Sequence, residues 1–353
     1  MKPYNYLLVF VIPGLALLGM VLGGSYVWLG PVFVFGLVPL LELVLPAPAD
    51  NASDELLAER LEDWRYDAVL YAAVPIQLGL TAFFLLSVSS GQFTLVELAG
   101  ATLSVGLCCG GVGINMAHEL GHRPRRREQF LAKLLLGGTL YAHFFIEHNR
   151  GHHTRVATAD DPATARRGEW VFSFWFRSVI GGWRSAWKME WDRLSRRGRN
   201  PLSRANEMVR LQVGQALLLL VIGFGLGLKA LLAFVAASLV GILLLETVNY
   251  LEHYGLERRR LPSGRWERVR PCHSWNSNCV LGRLLLFELS RHSDHHAHPK
   301  RPYPALRHFD EAPQLPTGYP GMILLSLVPP LFHFVMDQRV PGILEVGTGA
   351  ASA

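Results

Sequence analysis

Six long apolar runs constrain this chain more than any other feature of its sequence: Tyr6–Gly24, Tyr26–Leu45, Ala68–Val88, Phe93–Met116, Leu211–Leu228 and Ala230–Asn249. Each is close to the roughly 20 residues that a helix needs to cross a bilayer. Hydrocarbon offers no partner to a backbone N–H or C=O, so a run of this kind must satisfy its hydrogen bonds internally, as a helix. Short turns join the runs in pairs, which predicts three helical hairpins. Glycines within several of them suit close helix packing in lipid. Hydrophobic residues make up 50% of the 353, a high share for a water-soluble enzyme of this size.

Two further apolar stretches are poorer candidates. Phe130–Ile146 is short and carries Lys133 and His143, and Met322–Phe334 is broken by Pro329-Pro330. Both are expected as re-entrant, interfacial or protein-buried helices. The N-terminus has one Lys, a long apolar run and no small-residue cleavage site, so the first run is expected to stay as a span. The predicted fold is an all-α integral membrane protein with six transmembrane helices and a cytoplasmic-side, helical, histidine-rich cap. Along the chain this gives helices 1–4 in residues 1–116, a cap segment over 117–210, helices 5–6 in 211–249, a second cap segment over 250–345, and a flexible tail over 346–353. Together these form one functional domain.

Lysine and arginine orient the spans. The turns Gly24–Gly30 and Val88–Gln92 carry neither residue, and the turn between the last two runs carries only Lys229. The opposite ends hold Arg123, Arg125–Arg127, Arg166-Arg167, Arg196, Arg197, Arg199 and Arg258–Arg260. The positive-inside rule places those ends, and both termini, in the cytoplasm. Topology alone accounts for these arginines, and no nucleic-acid partner is expected. They also offer a docking surface for an acidic electron carrier, given the net charge of +6. Cys108, Cys109, Cys272 and Cys279 form no C-x-x-C pair, which excludes a zinc ribbon and a dithiol redox motif.

On that same predicted face lie nine of the 14 histidines, in four clusters. His118 and His122 share the first, Glu147-His148-Asn-Arg-Gly-His152-His153 is the second, His253 stands in Asn249-Tyr-Leu-Glu-His-Tyr-Gly255, and His292, His295 and His296 make the fourth. Neutral imidazole is the commonest protein ligand for a first-row transition metal. One ion takes three or four such ligands, so nine point to two ions. Spacing i, i+4 puts His118 with His122, and His148 with His152, on one helix face each, leaving His153 to face a second ion. Carboxylates that orient the imidazoles are expected nearby, the candidates being Glu119, Glu147, Asp161, Glu246, Glu252 and Asp294. Glu246 stands out because it lies inside an apolar run, where ionisable groups are costly. His298 has two readings, as a further ligand or as a hydrogen-bond donor beside the cluster. His143, His273, His308 and His333 have no partner at ligand spacing.

The first cluster also fits H-E-x-x-H, in which Glu119 would be the general base of a zinc protease. That chemistry needs only one further protein ligand and leaves most of the clustered histidines without a purpose.

Taken together, His118-Glu-Leu-Gly-His122, Glu147-His-Asn-Arg-Gly-His-His153 followed by Asp161-Pro-Ala163, Asn249-Tyr-Leu-Glu-His-Tyr-Gly255 and Arg291-His-Ser-Asp-His-His-Ala-His-Pro299 resemble the membrane alkane 1-monooxygenases. Motif-level similarity runs from about residue 110 to 300. Membrane fatty-acid desaturases share the wider histidine pattern and are the nearest alternative. Ala159 departs from the family pattern, which has Pro at that loop position. The resemblance implies a non-haem enzyme with two iron ions held by the nine histidines. It would hydroxylate the terminal methyl of medium- to long-chain n-alkanes to 1-alkanols with O2. Electrons would come from rubredoxin, separate or fused, and rubredoxin reductase. It further implies a place in the bacterial inner membrane, surrounded by lipid, with the active site facing the cytoplasm.

Overall fold

The computed structural model describes residues 1–341, so the expected tail over 346–353 and the last residues of the second cap segment lie outside the described residues. In chain order the helices are α1 (Pro3–Leu22), α2 (Gly24–Glu42), α3 (Asp54–Glu62), α4 (Trp64–Ser89), α5 (Leu95–His122), α6 (Arg126–Gly137) and α7 (residues 144–155). Then follow α8 (Val171–Ser195), α9 (Glu207–Leu226), α10 (Leu228–His253), α11 (Val280–Leu285), α12 (His292–Ala297), α13 (Tyr319–Ser326) and α14 (Pro329–Met336). Among the described residues no strand forms, only the isolated bridges Arg260–Trp266 and Asn276–Gln314. Six helices are long and apolar enough to cross a membrane: α1, α2, α4, α5, α9 and α10. They match the six runs within a few residues at each end.

Local chemistry sets where the spans begin and turn. Thr94 Oγ1 accepts from the Glu97 N–H at 3.3 Å while the Glu97 carboxylate accepts from the Thr94 N–H at 2.8 Å, a reciprocal cap for α5. Asn206 caps α9 through the Met208 N–H at 2.8 Å. The turns within two hairpins are single glycines. Gly23 joins α1 to α2 at φ +69° and Gly227 joins α9 to α10 at φ +89°, left-handed conformations that favour glycine.

Length is what lifts the cap out of the bilayer. A span needs about 20 residues, whereas α5 has 28 and α10 has 26. Counting that span from Leu95 and Leu228 ends near Ile114 and Thr247. The excess, Asn115–His122 of α5 and residues 248–253 of α10, stands at one end of the bundle and carries His118, His122 and His253.

The two helices cross closely enough to fix their relative register. A β-carbon added to Gly241 would lie 2.7 Å from Cβ of Cys109 and 2.9 Å from the Gly110 nitrogen, and one on Gly106 would lie 2.5 Å from Cβ of Val240. In lipid such small-residue crossings hold helices together through van der Waals contact and close backbone approach.

The two weaker apolar stretches fold as short cap helices. The first divides into α6 and α7 around Leu140 at φ +56°. The second divides into α13 and α14 just before Pro329, whose missing N–H and ring end the preceding helix. The long helix α8 is absent from the sequence expectations. The cap is tied to the bundle by buried aromatic contacts, with Tyr6 of α1 donating to Glu288 at 2.7 Å and meeting the Tyr303 ring at a centroid distance of 5.0 Å.

Replacing Gly241 by Val is expected to force α5 and α10 apart, lowering the melting temperature of the detergent-solubilised protein and its bound metal together. Gly79→Ala, at an exposed site of α4 where an added β-carbon meets nothing within 4 Å, should leave both at or above the parent values.

Candidate metal centre

Nine imidazoles converge above the bundle from α5, α7, α10 and α12. They form two groups, within each of which the candidate ligand atoms all lie within 4.8 Å of one another: His118, His122, His148, His153 and His295 in one, and His152, His253, His292 and His296 in the other. In the first group Nε2 of His148 is 3.1 Å from Nε2 of His122 and 2.9 Å from Nε2 of His153, which is 3.1 Å from Nε2 of His295. In the second, Nε2 of His152 is 3.2 Å from that of His296, and Nε2 of His292 is 3.2 Å from that of His253.

These separations bear on whether a metal fits. Each neutral imidazole has one N–H, so a ring of Nε2 atoms about 3 Å apart cannot all be paired as donor and acceptor. Metal–nitrogen bonds of about 2.1 Å meeting at right angles set donor atoms about 3.0 Å apart. Nε2 of His118 is buried with no hydrogen-bond partner. The charge state agrees. Burial, reinforced by neighbouring histidines, holds His148, His153, His292, His295 and His296 well below the usual imidazole range, leaving neutral rings with free lone pairs. An all-imidazole donor set suits a first-row transition metal and excludes an iron–sulfur cluster.

The division corrects the i, i+4 expectation within α7. His148 faces the same group as His153, five residues on, while His152 turns to the other. The cause is local: residues His148–His152 form a π-helical turn, whose wider winding brings i and i+5 onto one side. In α12, an ordinary α-helical turn, His292 and His296 share a group and His295 takes the other. Each His-His dipeptide therefore sends one ring to each group.

Of the six candidate carboxylates, two reach a cluster imidazole. Asp161 Oδ2 accepts from Nδ1–H of His152 at 2.9 Å and from Thr164 Oγ1 at 2.6 Å. A carboxylate can only accept here, so Nδ1 carries the proton and the Nε2 lone pair is directed into the group. The loop that presents Asp161 is held in an uncommon conformation, with Ala157 at φ +57° fixed by bonds to Thr164 and Arg258. Glu252 Oε2 lies 3.2 Å from Nε2 of His292, the group-facing nitrogen, and its other oxygen accepts from Tyr319 at 2.8 Å.

The other four hold the scaffold instead. Glu119 pairs with Arg123 at 2.9 Å and accepts from the Tyr303 N–H at 3.3 Å, because the residue after His118 points about 100° round the helix from the ligand face. A Glu119 so engaged cannot serve as the base of an H-E-x-x-H protease. Glu147 pairs with Arg155 at 2.5 Å. Asp294 binds Arg301 at 2.6 Å and His298 Nδ1 at 2.7 Å, which fixes the end of α12 and makes His298 a donor to that carboxylate; it belongs to neither histidine group. Glu246 accepts from Tyr141 at 2.5 Å, from Ser178 and from Asn249 at 3.4 Å. His143, His273, His308 and His333 stand apart from both groups.

A cavity of about 20 Å³ adjoins the centre, lined among others by Tyr141, His143, His148, His152, Ser178 and Glu246. Tyr141, Ser178 and Thr164 escaped the sequence analysis. Tyr141 lies in the apolar stretch Phe130–Ile146, Thr164 in the loop after the second cluster and Ser178 in α8, and no spacing in the sequence marks them.

Fold and site together define an integral membrane protein with a paired, all-histidine metal-binding centre. The fatty acid desaturase family model matches residues 93–326. An alkane 1-monooxygenase of Alcanivorax borkumensis is 39% identical over 96% of this chain and 85% of its own length. One of Pseudomonas aeruginosa is 42% identical over 90% of this chain and 84% of its own length. The xylene/toluene monooxygenase hydroxylase component of Pseudomonas putida is 30% identical over 99% of this chain and 95% of its own length. The chain belongs to the alkane 1-monooxygenase family, the membrane di-iron-type alkane hydroxylases.

Two outcomes are expected. Asp161→Asn should weaken metal binding roughly 10- to 100-fold, read by competition with a chelator, without displacing the helices. Burial alone holds His143 down to about 4, below its unfolded value of about 6.5. Its neutral form therefore contributes stability that is fully present above pH 6.5 and is lost as pH falls towards 4, at most about 3 kcal/mol. His143→Phe should accordingly show a smaller drop in melting temperature between pH 7 and pH 5 than the parent.

Proposed function

We propose that this chain is a non-haem di-iron monooxygenase. It hydroxylates the terminal methyl of a medium- to long-chain n-alkane, consuming O2, two electrons and two protons and releasing a 1-alkanol and water. Electrons come from rubredoxin, kept reduced by its reductase, and the centre faces the cytoplasm of a bacterial inner membrane. The observation that carries this reading is the division of nine imidazoles, most of them buried, into groups of five and four. Its relatives include alkane 1-monooxygenases and a xylene/toluene monooxygenase component, named for substrates without a polar handle.

Two irons held by those groups would supply the activation of dioxygen; the protein supplies everything else. Asp161 keeps the His152 proton on Nδ1. Burial of the rings excludes bulk water. The polar face of the small cavity, where Tyr141 and Ser178 donate to Glu246, lies beside His148 and His152 and is large enough for about one water molecule.

An alkane binds through apolar area, at about 25 cal/mol per Å² buried. A groove of about 490 Å³ runs between α4, α6, α9 and α10, lined by Leu78, Leu85, Leu134, Gly214, Leu218 and Phe234, and by Gly138 and Ala142. Ala142 lines the groove and the next residue, His143, lines the small cavity, which supports a substrate path between groove and centre.

Purified protein supplied with octane, O2 and reduced rubredoxin is expected to form 1-octanol. An alkene from an acyl substrate, with no alcohol from octane, would replace hydroxylation by desaturation. One zinc ion per chain in active protein would remove the di-iron centre. Gly214→Phe should raise KM for long alkanes more than for short ones; an unchanged ratio would mean that substrate does not use the groove.

A further inference from the structure

Helix α8 has 25 residues, enough to cross a bilayer, yet it is not among the six helices apolar enough to do so. Its residues sort into three stripes when placed about 100° apart. Val171, Phe174, Ser178, Gly182, Ala186 and Glu190 are buried against the protein. Arg184 and Lys188 form a polar, exposed stripe. Between them runs an aromatic-rich one: Phe172, Phe176, Ile180 and Trp183 are 40%, 70%, 47% and 41% exposed, and Trp191, 48% exposed, lies where it meets the polar stripe. A row of large apolar side chains of this length on one helix marks an interface rather than a solvated face.

Two hydrogen bonds fix the height of the row. Trp175 Nε1–H donates to Thr247 of α10 at 3.0 Å, and Trp183 Nε1–H donates to Gln212 of α9 at 3.3 Å. Thr247 is where a 20-residue span counted from Leu228 ends, and Gln212 lies about 8 Å inside the start of α9. α8 therefore lies crosswise over the two spans, at the level where hydrocarbon gives way to headgroups. Next to Trp183, exposed Val213 and Leu217 of α9 continue the apolar surface into the lipid-facing belt. Tryptophan with its ring in apolar surroundings and its N–H bonded is suited to that boundary.

From this placement we infer that α8 is a membrane-surface helix whose aromatic row is embedded in the headgroup–acyl boundary of bilayer phospholipid. Arg184 and Lys188 lie towards the phosphates and water. Lipid is the occupant because the row is continuous with the membrane-facing surface of α9 and is flanked by cations that complement phosphate. One consequence concerns the centre: Ser178 and Gly182 on the inner stripe line the cavity beside His148 and His152, so a single helix separates lipid from the histidine groups.

Spin labels test this. Cys108, Cys109 and Cys279 are buried, so a Cys272→Ser background accepts single cysteines at Phe172, Phe176, Arg184 and Lys188. In vesicles of phosphatidylcholine and phosphatidylglycerol, labels at 172 and 176 should collide several-fold more with O2, relative to a water-soluble nickel chelate, than labels at 184 and 188. Equal chelate access at all four sites would make α8 a solvated cap helix and overturn the inference. Shielding of 172 and 176 from both reagents would overturn it in favour of a second copy of the chain or another protein. A label-free check uses lipid brominated near the top of the acyl chain. Trp183→Phe with Trp191→Phe should reduce the quenchable share of tryptophan fluorescence, and an unchanged share would count against embedding.

Discussion

The mismatch between helix length and bilayer thickness underlies the rest of this structure. Hydrocarbon imposes a helix of about 20 residues on any segment that crosses it; α1, α2 and α9 have 20, 19 and 20 residues, whereas α4, α5 and α10 are longer. α5 and α10 run on, and their projecting turns carry His118, His122 and His253 without a break in backbone hydrogen bonding. A ligand at the end of a continuous helix inherits the rigidity of the helix. Because α5 and α10 also cross through Gly106, Gly110 and Gly241, their projecting ends are held in fixed relation, and α7 and α12 complete the centre from the side and from above.

The six spans were legible because the membrane leaves a chain so few choices: length and apolarity decide, and packing detail hardly matters. The clusters were legible for a similar reason, since histidine spacing on a helix is a local property. Their partition was not. The i, i+4 rule assumes α-helical winding, and the π-helical turn at His148–His152 breaks it by one residue. Nothing in Asn149-Arg150-Gly151 announces that turn.

Carboxylates were harder still, because neighbourhood in sequence says little about which way a side chain faces. Glu119 and Glu147 sit beside ligands and turn away to arginines, whereas Asp161, eight residues beyond His153, returns through a folded loop to hold His152. Helix α8 was missed for a different reason. Its apolar residues occupy two stripes, one against the protein and one outward, and mixing them with arginines gives neither a span nor a simple amphipathic pattern.

The split of each His-His dipeptide has a consequence for the order in which the centre can be built. Residues are joined from the N-terminus onward, and both groups draw on α12 as well as α7. When α10 has entered the membrane, six of the nine histidines have been made, yet neither group is complete. His292, His295 and His296 arrive last and close both at once. The centre thus matures in a single late event, and until then its waiting imidazoles are shielded only by the unfinished cap.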